Sequence, residues 1–196
     1  MSEEYLGVKF NVHFLSKSAP SLTPKQISLI EWCNCFDKHQ LAPPYPGGSA
    51  GNLSFRLNPN KLGFIITGSR IGLKNKLTEN QFVHVVNVDF LNKTIHVNGK
   101  IEPSSESMLH WAIYEKRPDV NAIFHGHSQQ ILNLVEQNQW IITQNEAAYG
   151  TCELVNEVIG VLNSHNFIIM KNHGFLALGN TMNEAGNRAL QALNQE

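Results

Sequence analysis

Asn121-Ala-Ile-Phe-His-Gly-His-Ser128 is an apolar run that stops at a His-Gly-His turn, and it reads as a buried strand with two imidazoles at its end. Side chains two apart on a strand share a face. With only Gly126 between them, His125 and His127 can therefore both reach a single ion at about 2.0 to 2.1 Å. A bare His-x-His arises easily by chance in a chain with nine histidines, so the pair alone is a weak signal. A second segment strengthens it. Phe167-Ile-Ile-Met-Lys-Asn-His-Gly174 is again apolar and β-branched and again stops at His-Gly. The chain between the two is long enough for a helix and a return strand to bring His173 alongside the pair. Three neutral imidazoles with one open position is the usual way of holding a catalytic zinc, whereas closed structural sites favour four cysteine-rich ligands.

Working outward, Thr23-Pro24 supplies a helix cap and a first-turn proline, and Ile27, Ile30, Cys33 and Phe36 predict one apolar face of a helix over 24–38. Pro43-Pro-Tyr-Pro-Gly-Gly48 ends it. Strands are expected over 52–57 and 64–67, followed by a hairpin of 82–89 and 94–97 around Asn92-Lys93. Pro103-Ser104-Ser105 opens a second helix that carries Met108, Trp111 and Ala112 and ends near Pro118. After the His-Gly-His strand come helices over 128–137 and 152–164, paired strands over 167–172 and 175–178, and a closing helix capped by Thr181. Hairpins require antiparallel pairing, and helices lie before and between the strands. The expected fold is thus α/β, three layers in the order α/β/α around a central mixed, mainly antiparallel sheet. A doubly wound nucleotide fold does not fit this pattern.

At 196 residues, with 42% hydrophobic and 16% charged residues, the chain is expected to form a single domain with a proper core. A formal net charge of −1 leaves no electrostatic footprint for nucleic acid or an anionic membrane. Cys33 and Cys35 point to different faces of a helix, so Cys33, Cys35 and Cys152 are read as reduced structural thiols. The start, Met1-Ser-Glu-Glu-Tyr5, is acidic with no apolar stretch behind it, and no long apolar run follows anywhere. A cytoplasmic protein is expected.

Glu106 falls at the start of the helix that precedes the His-Gly-His strand. Taken alone it is the kind of acid that decorates helix N-termini, and Ser104 and Ser105 are ordinary cap residues. Yet a helix start with two hydroxyls can also hold an anion. The turn Gly47-Gly-Ser-Ala-Gly-Asn52 offers further backbone donors, and Thr67-Gly68-Ser69 a third set. His110, one helical turn beyond Glu106, could face the same pocket.

These motifs stand in a recognisable order: Ser49-Ala-Gly-Asn-Leu-Ser-Phe-Arg56, Ile66-Thr67-Gly68-Ser69, Pro103-Ser-Ser-Glu106, Arg117-Pro-Asp-Val-Asn-Ala-Ile-Phe-His-Gly-His-Ser128, Tyr149-Gly-Thr151, Asn172-His-Gly174 and Gly179-Asn-Thr-Met-Asn-Glu-Ala185. In this order the chain resembles the class II aldolase/adducin family, best known for its fuculose-phosphate aldolase branch. The resemblance implies one Zn2+ per chain on His125, His127 and His173, with other divalent ions chemically admissible, and Glu106 as the acid/base residue. It implies that Ser49, Gly51, Asn52, Thr67, Gly68, Ser69, Ser104 and Ser105 cradle a sugar phosphate. It also implies a homotetramer with sites at subunit boundaries.

The implied reaction is a lyase reaction: cleavage of a carbon–carbon bond through an enediolate, whose charge needs a Lewis acid. A sugar-phosphate dehydratase of the methylthioribulose-phosphate type would use the same groups. A ribulose-phosphate 4-epimerase resembles the chain less, because Asp tends to stand where Glu106 is. An adducin-like interaction domain would lack the three histidines. The segment between Trp140 and Tyr149 is shorter than in the sugar-phosphate aldolases, and no segment before Glu196 matches the tail that covers their site. The acid at the aldehyde side is therefore left open. The turn at 67–72 aligns only with a one-residue shift, which leaves its phosphate contact open too.

Overall fold

The computed structural model describes residues 7–195; the acidic stretch at 1–5 lies outside them. Its elements are strand β1 (Asn11–Ser16), helix α1 (Pro24–Lys38), the ribbon β2 (Pro44–Tyr45) and β3 (Gly48–Ser49), strands β4 (Asn52–Arg56), β5 (Phe64–Thr67), β6 (Phe82–Asp89) and β7 (Thr94–Asn98), helix α2 (Ser107–Lys116), strand β8 (Ala122–Gly126), helices α3 (Gln129–Asn133) and α4 (Val135–Asn138), strand β9 (Ile141–Ile142), helix α5 (Cys152–Leu162), strands β10 (Phe167–Met170) and β11 (Gly174–Gly179), and helix α6 (Met182–Leu193). Nine strands form one sheet in the order β1-β7-β6-β5-β4-β8-β11-β10-β9. Only its two outermost pairs, β1 with β7 and β9 with β10, run parallel. The expected mixed, mainly antiparallel sheet is what forms.

Alternation along the strands divides the core in two. Ile66, Ile123, Leu176 and Ile168 face α2 and α5, which contribute Met108, Ile113, Leu154 and Val158. Ile65, Phe124, Phe175 and Ile169 face α1 and α6, which contribute Leu29, Cys33, Phe36, Ala185 and Ala189. These are the three layers. Every residue of β8 is buried, as is every residue of β11, because both lie mid-sheet with helices on each side. Among the described residues no helix is long and apolar enough to cross a membrane.

The buried face of α1 is Gln26, Leu29, Cys33 and Phe36 rather than the expected stripe. A three-residue step falls about 60° short of a full helical turn. Three such steps carry Ile27 to the side opposite Phe36, and Ile27 is exposed. Strand β1, the β2/β3 ribbon and β9 were not expected. The helix anticipated over 128–137 breaks at Leu134, whose N–H bonds to Ile131 O and tightens the turn. The closing helix is capped as expected, with Thr181 accepting from Glu184 N–H at 3.1 Å.

Phe36 binds the α1 layer to the strands that carry the histidines. It is fully buried and packs edge-on against Phe124 of β8 at 5.6 Å, and against Phe175 of β11 at 6.4 Å. A Phe36→Ala variant should lose about 3–5 kcal/mol of stability, read as a lower denaturant midpoint at unchanged slope. A loss below about 1 kcal/mol would mean that this aromatic cluster does not hold the layer.

Candidate active site

Strand pairing brings the three histidines together. β8 and β11 are antiparallel, with His125 opposite Leu176 and Gly126 opposite Phe175. His127 follows the end of β8 and His173 precedes the start of β11, so they meet at the same edge. Asn172 adopts a left-handed φ of 57° in the three-residue turn before β11 and donates to Glu146 at 2.8 Å. Glycine is required between the paired histidines. A Cβ on Gly126 would come within 2.5 Å of the Phe175 ring and 3.0 Å of Leu41 O.

The three rings lie with centroids 4.7, 5.2 and 5.0 Å apart, and one nitrogen from each falls within 4.8 Å of the others. A tetrahedral ion at about 2.05 Å from each nitrogen spaces them about 3.3 Å apart, so small side-chain rotations fit the set to a metal. The protonation pattern also suits ligation. His125 Nδ1 lies 2.8 Å from Phe175 O, and a carbonyl only accepts, so Nδ1 carries the proton and Nε2 turns a lone pair inward. Burial pushes His125 and His127 below the ordinary histidine value, His127 far below. Burial thus favours the uncharged imidazole, the form a metal needs, against the opposing pull of Glu106.

Glu106 completes the cluster. It is the cap residue of α2 rather than part of its first turn, and its side chain makes no capping bond. The carboxylate turns into the site instead. Its Oε2 lies 3.2 Å from His125 Nε2, and its Oε1 3.0 Å from His173 Nε2. Asn52, opposite His125 across the β4/β8 pair, donates to Oε2 at 2.8 Å. Burial raises the carboxyl pKa, but His125, His173 and Asn52 together hold it well below the usual carboxylate range. The group is ionised despite being 3% exposed.

The residues expected to hold an anion are brought to the same cavity, though not all of them face it. Ser49, Gly51, Asn52, Gly68, Ser69, Ser104 and Ser105 line it beside Glu106 and the histidines. Thr67 does not. It is 1% exposed, and its hydroxyl accepts from Leu53 N–H. The N–H groups of Gly68 and Ser69 are engaged by Gln81 O at 2.7 Å and Glu102 O at 2.9 Å. The Ser49 hydroxyl donates to Gly72 O at 2.8 Å. The backbone donors expected from the second turn are thus held by neighbouring turns, while the turn at 49–52 meets the cavity.

Below Glu106, His110 is fully buried, with Nδ1 2.7 Å from Ser54 Oγ; Ser54 also pairs with the Tyr114 hydroxyl at 2.8 Å. Burial pushes His110 down to about 3. It is neutral and does not line the cavity: one helical turn from Glu106 set its ring against Ser54 in the core rather than facing the pocket as the spacing allowed.

Residues 28–193 match the sequence profile described as the Class II Aldolase and Adducin N-terminal domain. The chain belongs to the class II aldolase and adducin family. It is 32% identical over 145 residues to the L-fuculose phosphate aldolase of Escherichia coli strain K12, a match covering 66% of this chain and 63% of that enzyme. Over a shorter stretch of 90 residues it is 34% identical to the 3-oxo-tetronate 4-phosphate decarboxylase of Haemophilus influenzae, which covers 46% of this chain and 39% of that protein. A solved L-fuculose 1-phosphate aldolase superposes with a TM-score of 0.70 at 24% identity, over 88% of this chain and 84% of that one. The superposition supports the three-layer class II aldolase fold.

Proposed function

We propose that the chain is a single-domain, zinc-dependent lyase acting on a small sugar phosphate or hydroxyketone phosphate. The observation that carries this reading is the ionised Glu106 carboxylate set 3.0 and 3.2 Å from two imidazoles of a three-histidine cluster. Similarity to an L-fuculose phosphate aldolase supports it. When bound by His125, His127 and His173, the ion supplies a Lewis acid for charge developing on substrate oxygens. Glu106 moves the proton next to the substrate carbonyl. Its present contacts keep it too weak a base, so substrate binding must loosen them before it recovers basicity. Asn52 holds the carboxylate in place. The residues at 51, 52, 69, 104 and 105 receive the phosphate end, while the Ser49 hydroxyl is held by Gly72 O and Lys74.

A second reading, decarboxylation of a phosphorylated oxo-acid, is favoured by the similarity to 3-oxo-tetronate 4-phosphate decarboxylase. It would place the same charge on the same cluster, as would dehydration of a sugar phosphate. The cavity, about 2040 Å³, exceeds the ~300–1,000 Å³ that encloses small ligands. A neighbouring subunit narrowing it fits the homotetramer, and the assembly would work in the cytoplasm.

Incubating the metal-replete protein in heavy water with a panel of phosphorylated ketoses and oxo-acids tests the reading. Exchange of an α-proton on at least one of them is expected, and the product separates the reactions: an aldehyde, carbon dioxide or a dehydrated ketone. A panel with neither exchange nor product, from protein that purifies without metal, would return the chain to the adducin-like interaction reading.

A further inference from the structure

Lys74 lies in a short 3-10 turn after β5, is 1% exposed, and does not line the cavity. Its ammonium donates to Ser49 Oγ at 2.9 Å, Ser49 O at 3.2 Å and Ala50 O at 2.9 Å. Three acceptors match its three N–H bonds. All three belong to the turn that runs into Gly51 and Asn52, so the ammonium stands behind the turn and the cavity lies in front.

A trans peptide points its C=O and its N–H in opposite directions. With the Ala50 carbonyl drawn back to Lys74, the N–H of Gly51 points forward. The Ala50 N–H is engaged by Pro43 O at 2.9 Å, which leaves Gly51 as the donor that this arrangement turns outward. Two carbonyl oxygens that would repel an anion are turned to the rear, and a positive charge stands behind the peptide dipoles that face it. The turn is clamped from its other side as well. Gly51 has a φ of +73°, and a Cβ there would lie 2.5 Å from His125 O.

A buried ammonium is costly to desolvate. Burial pushes Lys74 down to about 8 against the opposing pull of the Asp37 carboxylate on α1. A turn that only had to be tethered could be tethered by a neutral donor. We propose that Lys74 is a positioning residue of the anion site, orienting the turn so that the Gly51 N–H meets the phosphate group of the substrate. The proposal rests on the reading of the substrate as phosphorylated.

Calorimetric titration of the metal-replete protein with inorganic phosphate, compared with a Lys74→Met variant, tests it. Phosphate affinity should fall at least tenfold, while metal content is unchanged and affinity for acetohydroxamate, which carries no phosphate, stays within twofold. With a turned-over phosphorylated substrate, the variant's defect should fall on KM more than on kcat. Equal phosphate affinity in the two proteins overturns the role of Lys74 alone, and so does a parallel loss of hydroxamate affinity. Wild-type protein that binds no phosphate overturns the phosphorylated-substrate reading and this inference with it. Should the variant not fold, the wild-type Lys74 ammonium resonance supplies the answer. Sulfate should shift it saturably, and an unmoved resonance at saturating sulfate overturns the proposal.

Discussion

A Glu106→Gln variant is expected to keep its metal and to lose α-proton exchange by a factor of about 10²–10⁴. Gln preserves the shape of the side chain and one acceptor oxygen, so the bond from Asn52, 2.8 Å in the wild type, can persist. The histidine cluster is left intact, since His125 is oriented by Phe175 O rather than by Glu106. What the substitution removes is the capacity to take up a proton. Proton NMR in heavy water follows the exchange, and elemental analysis follows the metal. Exchange at the wild-type rate in a metal-replete variant would remove Glu106 from the chemistry. Loss of metal along with exchange would instead make the carboxylate a ligand.

The elements that position this carboxylate were legible in the sequence to different degrees. The His-Gly-His strand was readable because a fully buried central strand is a continuous apolar run, and the 167–178 hairpin was readable for the same reason. The edges of the sheet were not. β1 alternates half-buried Val12 and Phe14 with exposed neighbours, and its parallel partner β7 is far away in sequence. β9 is two residues long. At the site, residue types were visible but not the partners of their polar atoms. Gly68 and Ser69 look like free backbone donors until the turn before β6 and the segment before Ser104 are placed beside them, with N–H bonds to Gln81 O and Glu102 O. Lys74 was invisible for a related reason. Lys74-Asn75-Lys76 reads as a solvated turn, and no local signal distinguishes the lysine that folds under the Ser49 turn from the one beside it.

Removing one imidazole should have the largest effect of all, and His127 is the position at which to do it. His125 is 1% exposed and bonded to Phe175 O, so truncating it opens a cavity beside β11 and mixes metal loss with core damage. His127 stands just past the end of β8, half-buried, and its backbone N–H, bonded to Leu41 O at 2.9 Å, survives truncation to Ala. A His127→Ala variant should fold, bind divalent metal far more weakly, and lose about 10³-fold or more in turnover, the equivalent of several kcal/mol of Lewis-acid stabilisation. Thermal unfolding gives a readout independent of turnover. A ligand at a thousand times its Kd stabilises the native state by about 4 kcal/mol, so added zinc should raise the Tm of chelator-treated wild type and leave that of the variant nearly unmoved. Equal stabilisation of both proteins by zinc would place the ion elsewhere. The reasoning turns on the strand register, because the pairing of Gly126 with Phe175 sets His127 beside His173, and among the described residues no fourth histidine or cysteine joins the cluster to replace it.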